Sequence, residues 1–229
     1  MTGMYSKFSF IAVLLALAPG TNALADDAGG AYLGADFGRA RNGYDTNFID
    51  RQVATAAANA DQTVSYSAQS TQRMSYAWSG HVGYLFNPSV GIEAGFLHLG
   101  EIRYVAVGEL ASALGNRALS TRTEVTSHGP TLSAIYRLPL TENFAFDIRL
   151  GDYFGKTSLD YTITVDSKDS SVAVSKSASS LLLGAGASYT LAGHWSGRLA
   201  YLRVHNTGDG ATNGRFSVNL FTAGLSYTF

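Results

Sequence analysis

The sequence holds no cysteine in 229 residues. That absence excludes a disulfide framework, thiolate metal sites and a cysteine nucleophile together. An excess of charge of either sign is missing too: 16 Lys and Arg stand against 17 Asp and Glu, for a net charge of −1. Such a balance offers no electrostatic basis for binding nucleic acid. Long apolar runs are confined to the first residues. In "MTGMYSKFSF IAVLLALAPG TNALADD", Lys7 precedes an apolar run from Phe8 to Ala18, Pro19 and Gly20 break it, and Ala23-Leu24-Ala25 has the small-x-small form of a cleavage site. The three-part layout predicts a secretory signal peptide over residues 1–25, since the run is shorter than the about 20 residues a membrane span needs.

What remains, from Asp26 onward, is one domain's worth of chain rich in Gly, Ser, Ala, Tyr and Phe. This composition suits an all-β protein, either a soluble sandwich or a membrane barrel. Period-two alternation then becomes the informative signal. In "AYLGADFGRA", Leu33, Ala35 and Phe37 oppose Gly34, Asp36 and Gly38. In "SVGIEAGFLHLG", Val90, Ile92, Ala94 and Phe96 oppose Gly91, Glu93, Gly95 and Leu97. "NFAFDIRLGDYFG", "SLLLGAGASYTL" and "HWSGRLAYLRVH" repeat the pattern, and with "YAWSGHVGYLF", "GPTLSAIYRLP" and "RFSVNLFTAGLSYTF" they make eight candidate strands. An even number fits an antiparallel up-and-down transmembrane β-barrel.

The connections alternate in length. Asn87-Pro88, Leu140 to Asn143 and Ala192 to His194 are short; Asn42 to Arg73, Ala106 to Thr121, Thr157 to Ser177 and Asn206 to Gly214 are expected as long polar loops. Short turns on one rim and long loops on the other are the asymmetry of an outer-membrane barrel. Ten glycines (Gly34, Gly38, Gly83, Gly91, Gly95, Gly151, Gly155, Gly184, Gly186 and Gly224) share the face that carries the charges. Small residues among a few large charged ones suit the narrow interior of an eight-stranded barrel. The apolar face is then the one that meets lipid, and the last strand stays apolar to Phe229 because it closes the barrel.

"GYLFNPSVGIEAGFLHLG" (residues 83–100), with its Asn-Pro turn, and "YRLPLTENFAFDIRLG" resemble hairpins of the OmpA-like transmembrane domain. The resemblance extends from Asp26 to Phe229. It implies a bacterial outer-membrane protein whose terminal Leu225, Tyr227 and Phe229 form the signal read by the barrel assembly machinery. The periplasmic peptidoglycan-binding domain of many relatives is not expected here. The family's interior ion network implies roles for Glu93 and Arg198, whereas its fourth-strand lysine and sixth-strand glutamate positions hold Ile135 and Ser188.

Parity places Asp36, Glu93, Asp147, Arg137, Arg149 and Arg198 inside as a charge network. Two readings follow: a narrow ion path whose side chains exchange partners, or a structural network that neutralises enclosed charge, because an unpaired buried charge costs several kcal/mol. Outward parity gives a second set, Arg39, Arg41, His98, His128, Arg203 and His205. They lie roughly 20–25 Å up from the short-turn rim, at the far edge of the apolar band. Such a belt suits lipopolysaccharide phosphates; the plainer alternative is interface residues reaching for water.

No catalytic, cofactor-binding or metal-binding set emerges. Ser127 precedes His128, but neighbours on a strand point to opposite faces, and the five histidines lack metal-ligand spacing. The expectation is a monomeric, non-enzymatic barrel without a cofactor. Its role is structural and surface-interacting, its partners are outer-membrane lipid and host or surface ligands held by the loops, and nucleic acid is not among them. A low-conductance channel is the alternative and a lipid A enzyme the third. The stretches Gln52–Gln72 and Asp166–Ser180 are read as small, polar loops with little to form a core.

Overall fold

A computed structural model of the chain describes residues 29–43, 47–113, 115–208 and 216–229. The expected signal peptide and its cleavage site lie outside the described residues. In chain order the elements are β1 (Ala31–Asn42), α1 (Asn47–Ala58), β2 (Thr63–Gln72), β3 (Met74–Asn87), β4 (Val90–Ser112), β5 (Gly115–Pro139), β6 (Phe144–Val165), β7 (Lys168–Ala192), β8 (Trp195–Thr207) and β9 (Phe216–Thr228). Neighbours from β3 to β9 pair antiparallel, and β1 pairs with both β9 and β3, which closes an eight-stranded ring. Beyond the ring, β2 pairs with the far half of β4.

Alternation drives the arrangement. Phe37, Tyr76, Val82, Leu199, Phe221 and Leu225 are all more than half exposed on the outside of the ring. An apolar exterior this continuous is stable against hydrocarbon, not water. No helix among the described residues is long and apolar enough to cross a membrane. Closure reaches the last residue, where the Phe229 amide donates to the Ala31 carbonyl at 2.9 Å.

The short rim is built from compact turns. Asn87 Oδ1 accepts the amides of Ser89 and Val90, both at 2.8 Å, and so turns the chain around Pro88. The opposite rim differs from the sequence expectation. The stretches Ala106 to Thr121 and Thr157 to Ser177, expected as loops, continue as strand in β4, β5, β6 and β7. Their Ser, Thr and Val residues keep a period of two, and the ladder pairs run on to Ser112↔Gly115 and Val165↔Lys168. β1, β8 and β9 have 12–13 residues, enough for about 30 Å of rise at a tilt near 40°. β5 and β7 have 25 residues, for roughly 60 Å. A wall of sheet therefore stands well clear of the apolar band, which is about 25 Å tall.

A second correction concerns Gln52–Gln72. It holds most of α1 and all of β2. Ile49, Val53 and Ala57 recur at i, i+4 and i+8 and are all buried, one stripe of a helix. Ile49 and Val53 join the core cluster formed by the inner faces of the far half of the barrel and of its extension: Leu97, Leu99, Tyr104, Leu182, Val204, Val218 and Leu220 among others. The buried charges of the barrel interior are thus confined to its near half, and above them apolar side chains pack with a few buried hydroxyls such as Thr121, Thr123 and Thr157. At about 1.5–3 kcal/mol per buried large aliphatic side chain, this apolar plug is a main stabiliser of the far half.

One bulge makes the change possible. The β3–β4 ladder ends at Trp78↔His98, and β4 passes through Gly100 at φ +79°. Before the bulge even-numbered residues such as Ile92 and Phe96 face out. After it Ile102, Tyr104 and Ala106 face in.

Candidate functional site

Three groups of side chains carry chemistry, and they sit at successive levels of the barrel. The lowest is the interior network. β1 supplies Asp36, β4 Glu93, β6 Arg149 and β8 Arg198, all inward by strand parity and all nearly fully buried. Arg198 lies at the centre. Its Nε donates to Asp36 Oδ1 at 3.2 Å and its Nη1 to Glu93 Oε2 at 3.1 Å, while Nη2 also binds Asp36. Arg149 Nη1 meets Glu93 Oε1 at 2.8 Å, and Ser79 Oγ donates to Asp36 Oδ2 at 3.0 Å. Two carboxylates and two guanidiniums balance, and the fork geometry of arginine lets each cation satisfy more than one oxygen.

The space for these long side chains comes from glycine. A Cβ on Gly224 would lie 2.1 Å from Asp36 Oδ1, and one on Gly83 would lie 2.2 Å from the Tyr32 ring. Outward-facing Gly80 has open space around the same position.

Two members of this network are absent from the sequence-based set. Tyr32 donates its hydroxyl to Glu93 Oε2 at 3.1 Å. His81, 7% exposed, places Nδ1 3.2 Å from Arg198 Nη2. Each shares its parity with an inward glycine, Gly34 for Tyr32 and Gly83 for His81, and that signal was present in the sequence. The remaining predicted pair, Arg137 and Asp147, stands apart near the short-turn rim, joined at 2.8 Å. Ile135 and Ser188 face inward, as the resemblance placed them; Asp36 and Arg149 supply the charge those two positions lack. Beside Arg149 and Arg198 lies a void of about 10 Å³, room for about one water.

The second group is outward. Arg39, Arg41, Arg203 and His205 are exposed, and His98 and His128 half-buried. Arg41 and Arg203 both pair in register with Asn219, so the three form one row across β1, β9 and β8. His205 Nδ1 lies 3.2 Å from Ser217 Oγ. His98 and His128 are direct cross-strand partners on the opposite side, with ring centroids 6.2 Å apart and Trp78 stacked on His98. Arg39 sits 5.3 Å over the Tyr76 ring. Among the described residues none of Arg39, Arg41 and Arg203 has a carboxylate within ion-pair distance. Ser127, by contrast, points inward to Tyr153 and Thr157, so it does not serve His128.

The third group lies in the extension. Asp50 of α1 accepts from Tyr104 at 2.5 Å and from Gln69 Nε2 at 3.2 Å. Burial, helped by the Asp50 charge, pushes the Tyr66 and Tyr161 hydroxyls up to about 12. On the outer face Glu124 binds both Arg122 and Arg103, and the Arg122 hydrogen bond holds its carboxyl below the usual range. Among the described residues no cluster of three or more His, Asp and Glu side chains has the arrangement of a metal site.

The chain is similar in structure to Ail, the attachment invasion locus protein of Yersinia pestis, solved in complex with the heparin analogue sucrose octasulfate. There the identity is 13% and the TM-score 0.48 over 88% of this chain and 99% of that one. It is similar to the Neisserial surface protein A, NspA, at 14% identity and a TM-score of 0.41 over 87% and 97% of the two chains. The outer membrane protease OmpT of Escherichia coli gives 13% and 0.44 over 92% and 99%. No curated protein sequence matches. The sequence profile of the OmpA-like transmembrane domain matches residues 26–229, and the chain belongs to that family of bacterial outer-membrane β-barrels.

Proposed function

We propose that this barrel works on its outer surfaces and not through its lumen. The observation that carries the reading is the position of the sheet. Nearly half of β4–β7 stands beyond the membrane band as a hydrogen-bonded wall braced by α1 and β2, above an interior filled by ion pairs below and aliphatic side chains above. A rigid projection of this kind presents recognition surface to molecules outside the cell. The filled lumen disfavours steady ion flow. The outward row Arg41–Asn219–Arg203, with Arg39 beside it, supports a further contact with the phosphates of lipopolysaccharide. Guanidiniums without carboxylate partners at the edge of an apolar band are free to bind such anions by charge-assisted hydrogen bonds.

The test shortens the projection and leaves the barrel. Residues 160–173 are deleted, and Leu159 and Val174, cross-strand partners, are rejoined by a two-residue Asn-Gly turn. Attachment of expressing cells to host-cell monolayers should fall to the level of cells without the protein, while the folded barrel keeps its heat-modifiable gel mobility. Undiminished attachment by a correctly folded, shortened barrel overturns the surface-interaction reading.

A further inference from the structure

We infer that the break in the β3–β4 ladder is a binding site for one phosphorylated glycolipid headgroup of the outer leaflet. The inference deepens the proposed contact with lipopolysaccharide and rests on it. Between Trp78↔His98 and Gln72↔Arg103, residues 73–77 and 99–102 form no ladder pairs with each other, while 74–77 stay paired with β1 and 101–102 with β5. The interruption is held open by chemistry on both sides. Gly100 takes a positive φ, a Cβ there would lie 2.6 Å from the Tyr76 carbonyl, and the Glu101 amide donates to Ser75 Oγ at 3.0 Å instead of to a strand carbonyl. The result is an outward cleft of about 490 Å³ lined by Arg39, Gln72, Tyr76, His98, Glu101 and Arg103, among others. Its size is that of a small-molecule site, about 300–1,000 Å³, and far exceeds what one ion or water fills.

Position and polarity select the ligand. Immediately below the cleft the outside is aromatic: Phe37 and Trp78 are direct partners, and Trp78 stacks on Phe96. Immediately above it the outside is charged, with Arg103, Glu101, Glu124 and Arg122 in one chain of ion pairs. A cleft at that boundary meets headgroups, with acyl chains lying against the rings below.

Two guanidiniums line it. Arg39 is held over Tyr76 and has no carboxylate partner among the described residues. Arg103 uses Nε on Glu124 and one Nη2 proton on Glu101; of the five N–H donors of a guanidinium, three remain. A phosphate monoester between Arg39 and Arg103 satisfies both cations, and the attached sugar finds Gln72, His98 and Glu101 as hydrogen-bonding partners. A zwitterionic phosphatidylcholine headgroup matches this lining less well, because its phosphodiester carries one negative charge where a monoester carries about −1.5 to −2, and its trimethylammonium has no N–H or O–H for Gln72 and His98.

The experiment uses the full mature chain, folded in nanodiscs of phosphatidylcholine with or without lipid A, and counts retained lipid by native mass spectrometry. The site predicts one lipid A held per barrel, no comparable retention of dephosphorylated lipid A, and at least a tenfold loss of affinity in both Arg39→Ala and Arg103→Ala. Gln72→Trp, which fills the cleft without removing a charge, should cause a similar loss. Arg117→Ala, near the tip of the projection, controls for overall charge, and heat-modifiable mobility confirms that each variant is folded.

Arg203→Ala separates the two levels of the reading. If it costs as much as Arg39→Ala and the loss in Gln72→Trp is absent, the belt binds lipid diffusely and the cleft assignment falls alone. If no variant changes retention, cleft and belt fall together. Inorganic phosphate distinguishes the source of the anion. Retention that survives it assigns the cleft to a membrane-anchored headgroup; displacement overturns the glycolipid assignment in favour of soluble phosphate.

Discussion

Removing the Arg198 guanidinium would leave Asp36, and one oxygen of Glu93, without a counter-ion in an enclosed space. The loss of one partner from a buried ionic group costs about 3–5 kcal/mol. Arg198→Ala should therefore lower the denaturant midpoint of the detergent-folded barrel by that equivalent, and Arg198→Lys should recover only part because a lysine cannot span both carboxylates. An Arg198→Ala barrel as stable as the parent contradicts the central role given to this side chain. At this scale the sequence was informative where charge and glycine parity agree: Asp36, Glu93, Arg149 and Arg198 share a face with Gly224, Gly91, Gly151 and Gly186, and all four converge. Tyr32 and His81 share the parity of Gly34 and Gly83, but a reading that followed only the carboxylates and guanidiniums passed over them, since neither carries a fixed charge.

α1 and the strand extensions act as one element above the membrane. Ile49 is 2% exposed against the inner faces of the extension, so Ile49→Asp places a charge in an apolar contact. It should release α1, seen as faster amide exchange over 47–58 and protease cleavage there, while the barrel stays folded. Protection equal to the parent's means that the helix is not docked by this face. A pH effect belongs to the same element. Tyr66 and Tyr161 are raised to about 12 in the folded protein, against about 10 in an unfolded chain. Their contribution is complete below pH about 10 and is lost as pH rises toward 12, since the unfolded state then releases protons that the folded state retains. Tyrosinate absorbance should show a late-titrating class, shifted to lower pH in Ile49→Asp as the extension opens to water. A single class near 10 in the parent contradicts the packing around Asp50. The helix escaped the sequence reading because its stripe is only three residues long among alanines and polar side chains, and β2 because its Val64 and Tyr66 are spaced by serine. In β4, Gly100 reverses the parity within one residue, so alternation counted from Ile92 gives the wrong face for Tyr104.

For the whole molecule, strand number and closure were visible in alternation and in the apolar Phe229 terminus. The length of the projection was not, since Ser- and Thr-rich strands without a lipid-facing apolar row look like loops. The height that results is what separates a lipid-spanning half from an exposed half. The interior changes character at the same level, from paired charge to aliphatic packing, so water and ions meet two different obstacles in series. Planar-bilayer conductance of the refolded mature barrel tests this account most directly. The filled lumen predicts no stepwise current above the bare bilayer at either polarity, in the parent and in Ile49→Asp alike, because the ion pairs remain when the helix is released. A sustained ohmic pore in the parent, altered by neutralising Arg149, would contradict it and make the charged interior the working part of the protein.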